Sequence, residues 1–182
     1  MLAPKALRDV HPLGKSPVIS DGGVVIAESG AIIEYLVRKY GGETLRPKAE
    51  ADQLKYTYWL HYAEGSLMPP LLLRLIFGRL SKKPMPLILR PIGALIGAGI
   101  LKSYVNPQIK RHLDFIEREL SKSEYFAGAE FSAADIQMSF PLEAAKSRVG
   151  FANYPHLKKY LARIFARPAY QRAAQKGGPF TI

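Results

Sequence analysis

Glu28-Ser29-Gly30 stands between an apolar run, Val24-Val25-Ile26, and apolar positions at helical spacing, Ile32, Ile33 and Leu36. A serine at such a junction occupies the place of a helix N-cap. The first N–H groups of a helix lack partners within it and carry partial positive charge, so this point suits a carboxylate or other small anion. A serine that only caps its helix and binds nothing accounts for the same residues. Other chemistries find less support. The chain has no cysteine, so it offers no thiol nucleophile, no disulfide and no Cys-ligated metal. His11, His61, His112 and His156 are dispersed without metal-ligand spacing, and none sits near Ser29 in a triad-like pattern. No glycine-rich phosphate loop follows a strand.

The elements that must position this helix start are legible upstream of it. Gly14-Lys15-Ser16-Pro17 leads into Val18-Ile19, a β-branched strand that reaches the turn signal Asp21-Gly22-Gly23. Val24-Val25-Ile26 forms the returning strand, and a helix follows over 31–40. Pro17 taken alone reads as a proline opening an edge strand. Beyond residue 49 the pattern is helical. The first long segment, 49–77, carries Leu54, Tyr58, Trp59, Tyr62, Leu67 and Leu71, and Pro69-Pro70 must bend it. An irregular connector is expected over 81–91, then an apolar segment containing Gly93-x-x-x-Gly97. That segment is too short between Arg90 and Lys102 to span a bilayer, which takes ~20 apolar residues, so it reads as a tightly packed helix. Ile109, Leu113, Ile116 and Leu120 mark the next helix, with Asn106-Pro107 at a start or kink. Pro155 and Pro168 open two more, and Gly177-Gly178-Pro179 ends the order.

A second local signal lies in Phe126-Ala127-Gly128-Ala129-Glu130-Phe131-Ser132-Ala133-Ala134-Asp135-Ile136. Ser132 is placed as an N-cap, Asp135 can reach back to its backbone N–H, and Phe131 can staple to Ile136. Loss of the Asp135 side chain is expected to cost on the order of 1 kcal/mol through the cap.

Two blocks, His11-Pro12-Leu13-Gly14-Lys15-Ser16-Pro17-Val18 and Glu28-Ser29-Gly30-Ala31-Ile32, together resemble the glutathione transferase family. The resemblance implies that Lys15, Ser16, Glu28 and Ser29 contact glutathione, with Pro17 a cis proline shaping the site. Ser16 would pair its backbone with the cysteinyl part, Glu28-Ser29 would hold the γ-glutamyl end, and Lys15 would reach the glycine carboxylate. The Ser132 block resembles the family's N-capping motif, whose role is folding. On spacing alone, Glu64 falls where the family places an acidic residue reaching the partner subunit's glutathione. Tyr56, Tyr58, Trp59, Tyr62 and Met68 fall where the second-substrate pocket is expected, although most of them read equally as core or interface.

The fold so implied is α+β: a truncated thioredoxin-like N-terminal domain, residues 1–43, and an all-α helical C-terminal domain, residues 49–182. Met1-Leu2-Ala3-Pro4 stands where the first strand–helix–strand of a thioredoxin-like unit should have ended. The strand over 17–20 is therefore expected to be an uncovered edge, and the thiol-activating residue is not identified. The implied activity is attack of the glutathione thiolate on an electrophilic, largely apolar substrate. A non-catalytic binding or assembly module, or a carrier of apolar ligands, is the alternative.

Composition fits these readings. The 182 residues are 48% hydrophobic, enough for a sizeable core. The formal net charge is +11, but cations such as Lys82-Lys83, Lys110-Arg111 and Lys158-Lys159 are scattered, without an aromatic-interleaved block of the kind that binds single strands. No nucleic acid and no metal are expected; membrane association is disfavoured, with weak association through the apolar segment over 91–101 left open. Glutathione, a cytoplasmic location without a secretory signal, a homodimer and a role in detoxification are expected.

Overall fold

The computed structural model describes residues 3–41 and 44–178. Met1-Leu2, the expected boundary at residue 43 and Pro179 lie outside the described residues. A short helix, α1 (Lys5–Val10), precedes a hairpin of β1 (Val18–Asp21) and β2 (Val24–Ala27). The strands are antiparallel, with Val18 opposite Ala27 and Asp21 opposite Val24. Two residues remain for the turn, Gly22 and Gly23, both at positive φ (57° and 84°). Such a turn matches the twist of the flanking strands and falls to glycine because both positions are left-handed. Among the described residues β1 pairs with β2 alone, which leaves its outer edge without a strand.

α2 (Ser29–Tyr40) packs on the hairpin and is tied to it through one carboxylate. Asp21 Oδ2 accepts from Tyr35 Oη (2.9 Å), Lys39 Nζ (2.8 Å) and Tyr40 Oη (2.7 Å). These bonds, led by that from Lys39, lower the Asp21 pKa to about 2.

The remaining helices form a bundle: α3 (Glu50–Tyr62), α4 (Met68–Phe77), α5 (Arg90–Ile100), α6 (Asn106–Lys122), α7 (Ala133–Val149), α8 (Pro155–Phe165) and α9 (Pro168–Gly177). Two joints between them are π-helical turns, Ala63–Leu67 and Leu101–Val105, and each lies just ahead of proline: Pro69-Pro70 and Pro107. A proline in a helix lacks its N–H and collides with the carbonyl four residues back, so a widened turn there relieves both problems. The expected connector is shorter than the sequence indicated, since a 3-10 turn over Leu87–Leu89 already begins the rise into α5.

The core sits between α3, α4, α6, α7 and α8, with Leu67, Leu71, Ile116, Met138, Leu142 and Leu157 fully buried. α7 is its centre and starts as the sequence predicts. Asp135 Oδ2 accepts from the Ser132 N–H (2.9 Å) and Ser132 Oγ (3.0 Å). The same carboxylate accepts through Oδ1 from the Phe126 N–H (3.0 Å) and Tyr160 Oη (3.2 Å). Phe131 packs edge-on to Tyr125 beneath the Arg167 guanidinium, while Ile136 turns outward.

Candidate functional site

The residues nominated from the sequence as glutathione contacts, with Glu64, line one cleft of about 400 Å3. Lys15, Ser16 and Pro17 come from the loop entering β1, Glu28 and Ser29 from the start of α2, and Glu64 from the π-helical turn after α3. Ile33 of α2 and Ile136, Gln137 and Phe140 of α7 complete it. The Ser16–Pro17 peptide bond is cis.

The start of α2 differs from expectation by one residue. Glu28, not Ser29, occupies the N-cap position, and Ser29 is the first helical residue. Glu28 leaves β2 at φ 72°, a left-handed conformation that a residue with a Cβ adopts at a cost of about 1–2 kcal/mol. Ser29 is thereby released from capping. Its Oγ donates to Glu64 Oε1 (3.3 Å) and accepts from Gln137 Nε2 (2.8 Å). Gln137 Nε2 also donates to Glu64 Oε1 (3.1 Å). Glu64 thus lines the cleft of its own chain.

Gln137 is the residue that sequence reasoning missed. It is buried, and its Oε1 has no hydrogen-bond partner among the described residues. A signal was present in the sequence: Gln137 falls four residues after Ala133 and four before Pro141, on a helix face otherwise filled by core side chains. A polar amide in such a stripe must find partners or a ligand.

The aromatic residues expected to line a second-substrate pocket do not reach this cleft. Tyr56, Trp59 and Tyr62 are buried in the core, where Trp59 stacks on Phe115 and packs on Phe126. Tyr62 Oη lies 2.5 Å from His112 Nδ1. Burial raises the Tyr62 pKa and lowers that of His112, so both partners of this hydrogen bond are held in their neutral forms. The apolar wall of the cleft comes instead from Ile33 and from Ile136 and Phe140, the last two exposed on α7. Chemically, the cleft offers a cation, two carboxylates, a helix N-terminus and a buried amide beside an apolar shelf. That set suits a ligand with carboxylates and an ammonium group next to an apolar reactant.

Comparison with known proteins identifies the family. Residues 2–44 match the family model for the N-terminal domain of glutathione S-transferase, and residues 87–168 that for its C-terminal domain. The chain is 40% identical to "Glutathione S-transferase 3" of Schizosaccharomyces pombe over 177 residues, 96% of this chain and 72% of the relative. It is 32% identical to "Glutathione S-transferase 1" of Saccharomyces cerevisiae, with 96% and 79% covered. Its fold superposes on the crystal structure of a glutathione S-transferase from Actinobacillus pleuropneumoniae with a TM-score of 0.74 at 31% identity, covering 96% of this chain and 74% of that one. A theta-class enzyme from Xanthomonas axonopodis pv. citri, solved with glutathione bound, gives 0.70 at 26% identity, covering 93% and 76%. On sequence and fold together, the chain belongs to the glutathione S-transferase family.

Proposed function

We propose that the cleft binds glutathione and that the chain transfers it to an electrophilic, largely apolar co-substrate. The observation that carries this reading is the convergence of Lys15, Glu28, Ser29, Glu64 and Gln137 beside Ile136 and Phe140. The N–H groups at the start of α2 and Ser29 Oγ suit the γ-glutamyl carboxylate. Glu28 and Glu64 suit its ammonium group, and Lys15 the glycine carboxylate. The Ser16 backbone, at the cleft wall beside cis Pro17, suits the cysteinyl part. The glutathione sulfur, as thiolate, would then form a bond to the electrophilic carbon while the leaving group departs with its electron pair. Lowering the thiol pKa needs a hydrogen bond to the sulfur, and no residue of this cleft is assigned that role. A relative solved with glutathione bound supports the ligand. A homodimer in the cytoplasm that removes reactive electrophiles is the setting we propose.

The test is a calorimetric titration of glutathione into the protein and its Glu28→Ala variant, with conjugation to a chloronitrobenzene followed alongside. Saturable binding that weakens at least tenfold in the variant supports the site, that being the scale of a lost hydrogen bond to a charged group. Absence of binding by the folded protein overturns it, whatever the conjugation assay returns.

A further inference from the structure

Between Glu64 and Asp114 the chain contains no acidic residue at all. Within that interval α4 and α5 form a hairpin joined by the turns over 78–86, and the hairpin carries Arg74, Arg79, Lys82, Lys83, Arg90 and Lys102. Its inner face is closely packed. A Cβ on Gly93 would stand 2.5 Å from the Leu80 carbonyl oxygen, and one on Gly97 2.5 Å from that of Phe77. The tip is therefore held against α4 by backbone contact and cannot fold its outer side inward.

That outer side is apolar. Ile88 is 85% exposed, Leu95 76%, Leu87 75%, Ile92 57% and Ile96 52%. Ile88, Ile92, Leu95 and Ile96 follow the i, i+4, i+7, i+8 spacing of one helix face, opposite Gly93 and Gly97. The tight packing that the sequence indicated holds on the glycine side, and the opposite side is left uncovered. The helical run Leu87–Lys122 is long and apolar enough, by length and composition, to cross a membrane. Its second half cannot leave the bundle, because Val105, Ile109, Leu113 and Ile116 are buried in the core. The free stretch is thus confined to the hairpin tip, a length that lies on a bilayer rather than through it.

We propose that the outer face of the α4–α5 hairpin docks on an anionic lipid surface, with Ile88, Ile92, Leu95 and Ile96 entering the headgroup region and Lys82, Lys83 and Lys102 meeting acidic headgroups. Charge selects this occupant. A second copy presenting the same acid-free hairpin would be repelled, whereas an anionic bilayer answers both the apolar face and its cationic rim. The glutathione cleft takes no residue from this face, so docking leaves it open to ligand.

The experiment is co-sedimentation of the full chain with vesicles of phosphatidylcholine alone or with about one-third phosphatidylserine. Binding to the mixed vesicles only, falling as salt rises, is expected. Lys82→Gln and Lys83→Gln should each weaken the partition about fivefold, as one headgroup-level charge does. The double variant Ile88→Ser/Leu95→Ser alters two outward side chains and should abolish binding while conjugation in solution is unchanged. Equal binding to neutral vesicles, or to neither, overturns the proposal. So does a wild-type self-association that Ile88→Ser/Leu95→Ser removes, or retention by duplex oligonucleotide without vesicle binding.

Discussion

Glu28 carries two demands at one position. Its carboxylate lines the cleft, and its backbone sits at φ 72°, where a side chain is unwelcome. The two demands separate by substitution. Glu28→Ala should lose glutathione affinity and keep the backbone penalty. Glu28→Gly should lose the same affinity yet be more stable than Glu28→Ala by about 1 kcal/mol, because glycine adopts positive φ freely. Equal denaturant midpoints for the two variants would show that the turn is unstrained. The positive φ also explains why Ser29 was misread as a cap. Helix-start patterns assume that the residue ahead of the helix is extended, and Glu28 is not. The hydroxyl so freed meets partners 35 and 108 positions away, Glu64 and Gln137, and no local pattern announces contacts at that distance. The identities of the site residues were legible, but their mutual bonds were not.

Among the elements, α7 shows how a correct local reading can understate a residue. Ser132 and Asp135 were recognisable as a capping pair, worth about 1 kcal/mol. The fold adds what the spacing could not contain: Asp135 is fully buried and also accepts from the Phe126 N–H and the Tyr160 hydroxyl. Asp135→Ala would strand all of these donors, so roughly 3 kcal/mol of destabilisation is expected from unpaired buried groups. A loss near 1 kcal/mol in urea unfolding would mean that the cap acts alone. The hairpin–α2 unit is held differently, by Asp21 among Tyr35, Lys39 and Tyr40. Because its folded pKa is depressed to about 2 from 3.8, the folded state binds fewer protons than the unfolded chain between those values. The clamp should therefore be intact above about pH 4 and weaken as pH falls toward 2. Hydrogen exchange of the β1–β2 amides should quicken across that window, and Asp21→Asn should remove the pH dependence. The strands themselves were easy to read, since Gly22-Gly23 between β-branched runs is a local signal. The clamp was hidden because its donors lie up to 19 residues away.

At the scale of the whole molecule, the cleft is a joint. Lys15, Ser16, Glu28 and Ser29 belong to the hairpin–α2 unit, while Glu64 and Gln137 belong to the helical bundle, and Gln137 Nε2 bonds to both Ser29 and Glu64. A ligand held by both sides must stabilise them together, for it binds only when the two are assembled. At a hundred times its dissociation constant, a ligand specific to the native state adds about 2.7 kcal/mol. For a chain of this size that corresponds to roughly 5–10 °C in the unfolding midpoint. Glutathione should therefore raise one cooperative transition by that amount. In Gln137→Leu the amide that spans the joint is gone, while the apolar volume is kept. The midpoint shift at the same glutathione concentration should shrink, and the free protein should change less than the liganded one. Two resolved transitions, of which glutathione moves only the first, would mean that the hairpin–α2 unit binds the ligand without the bundle. A Gln137→Leu protein with an undiminished shift would show that the amide holds the two halves together but takes no part in the site.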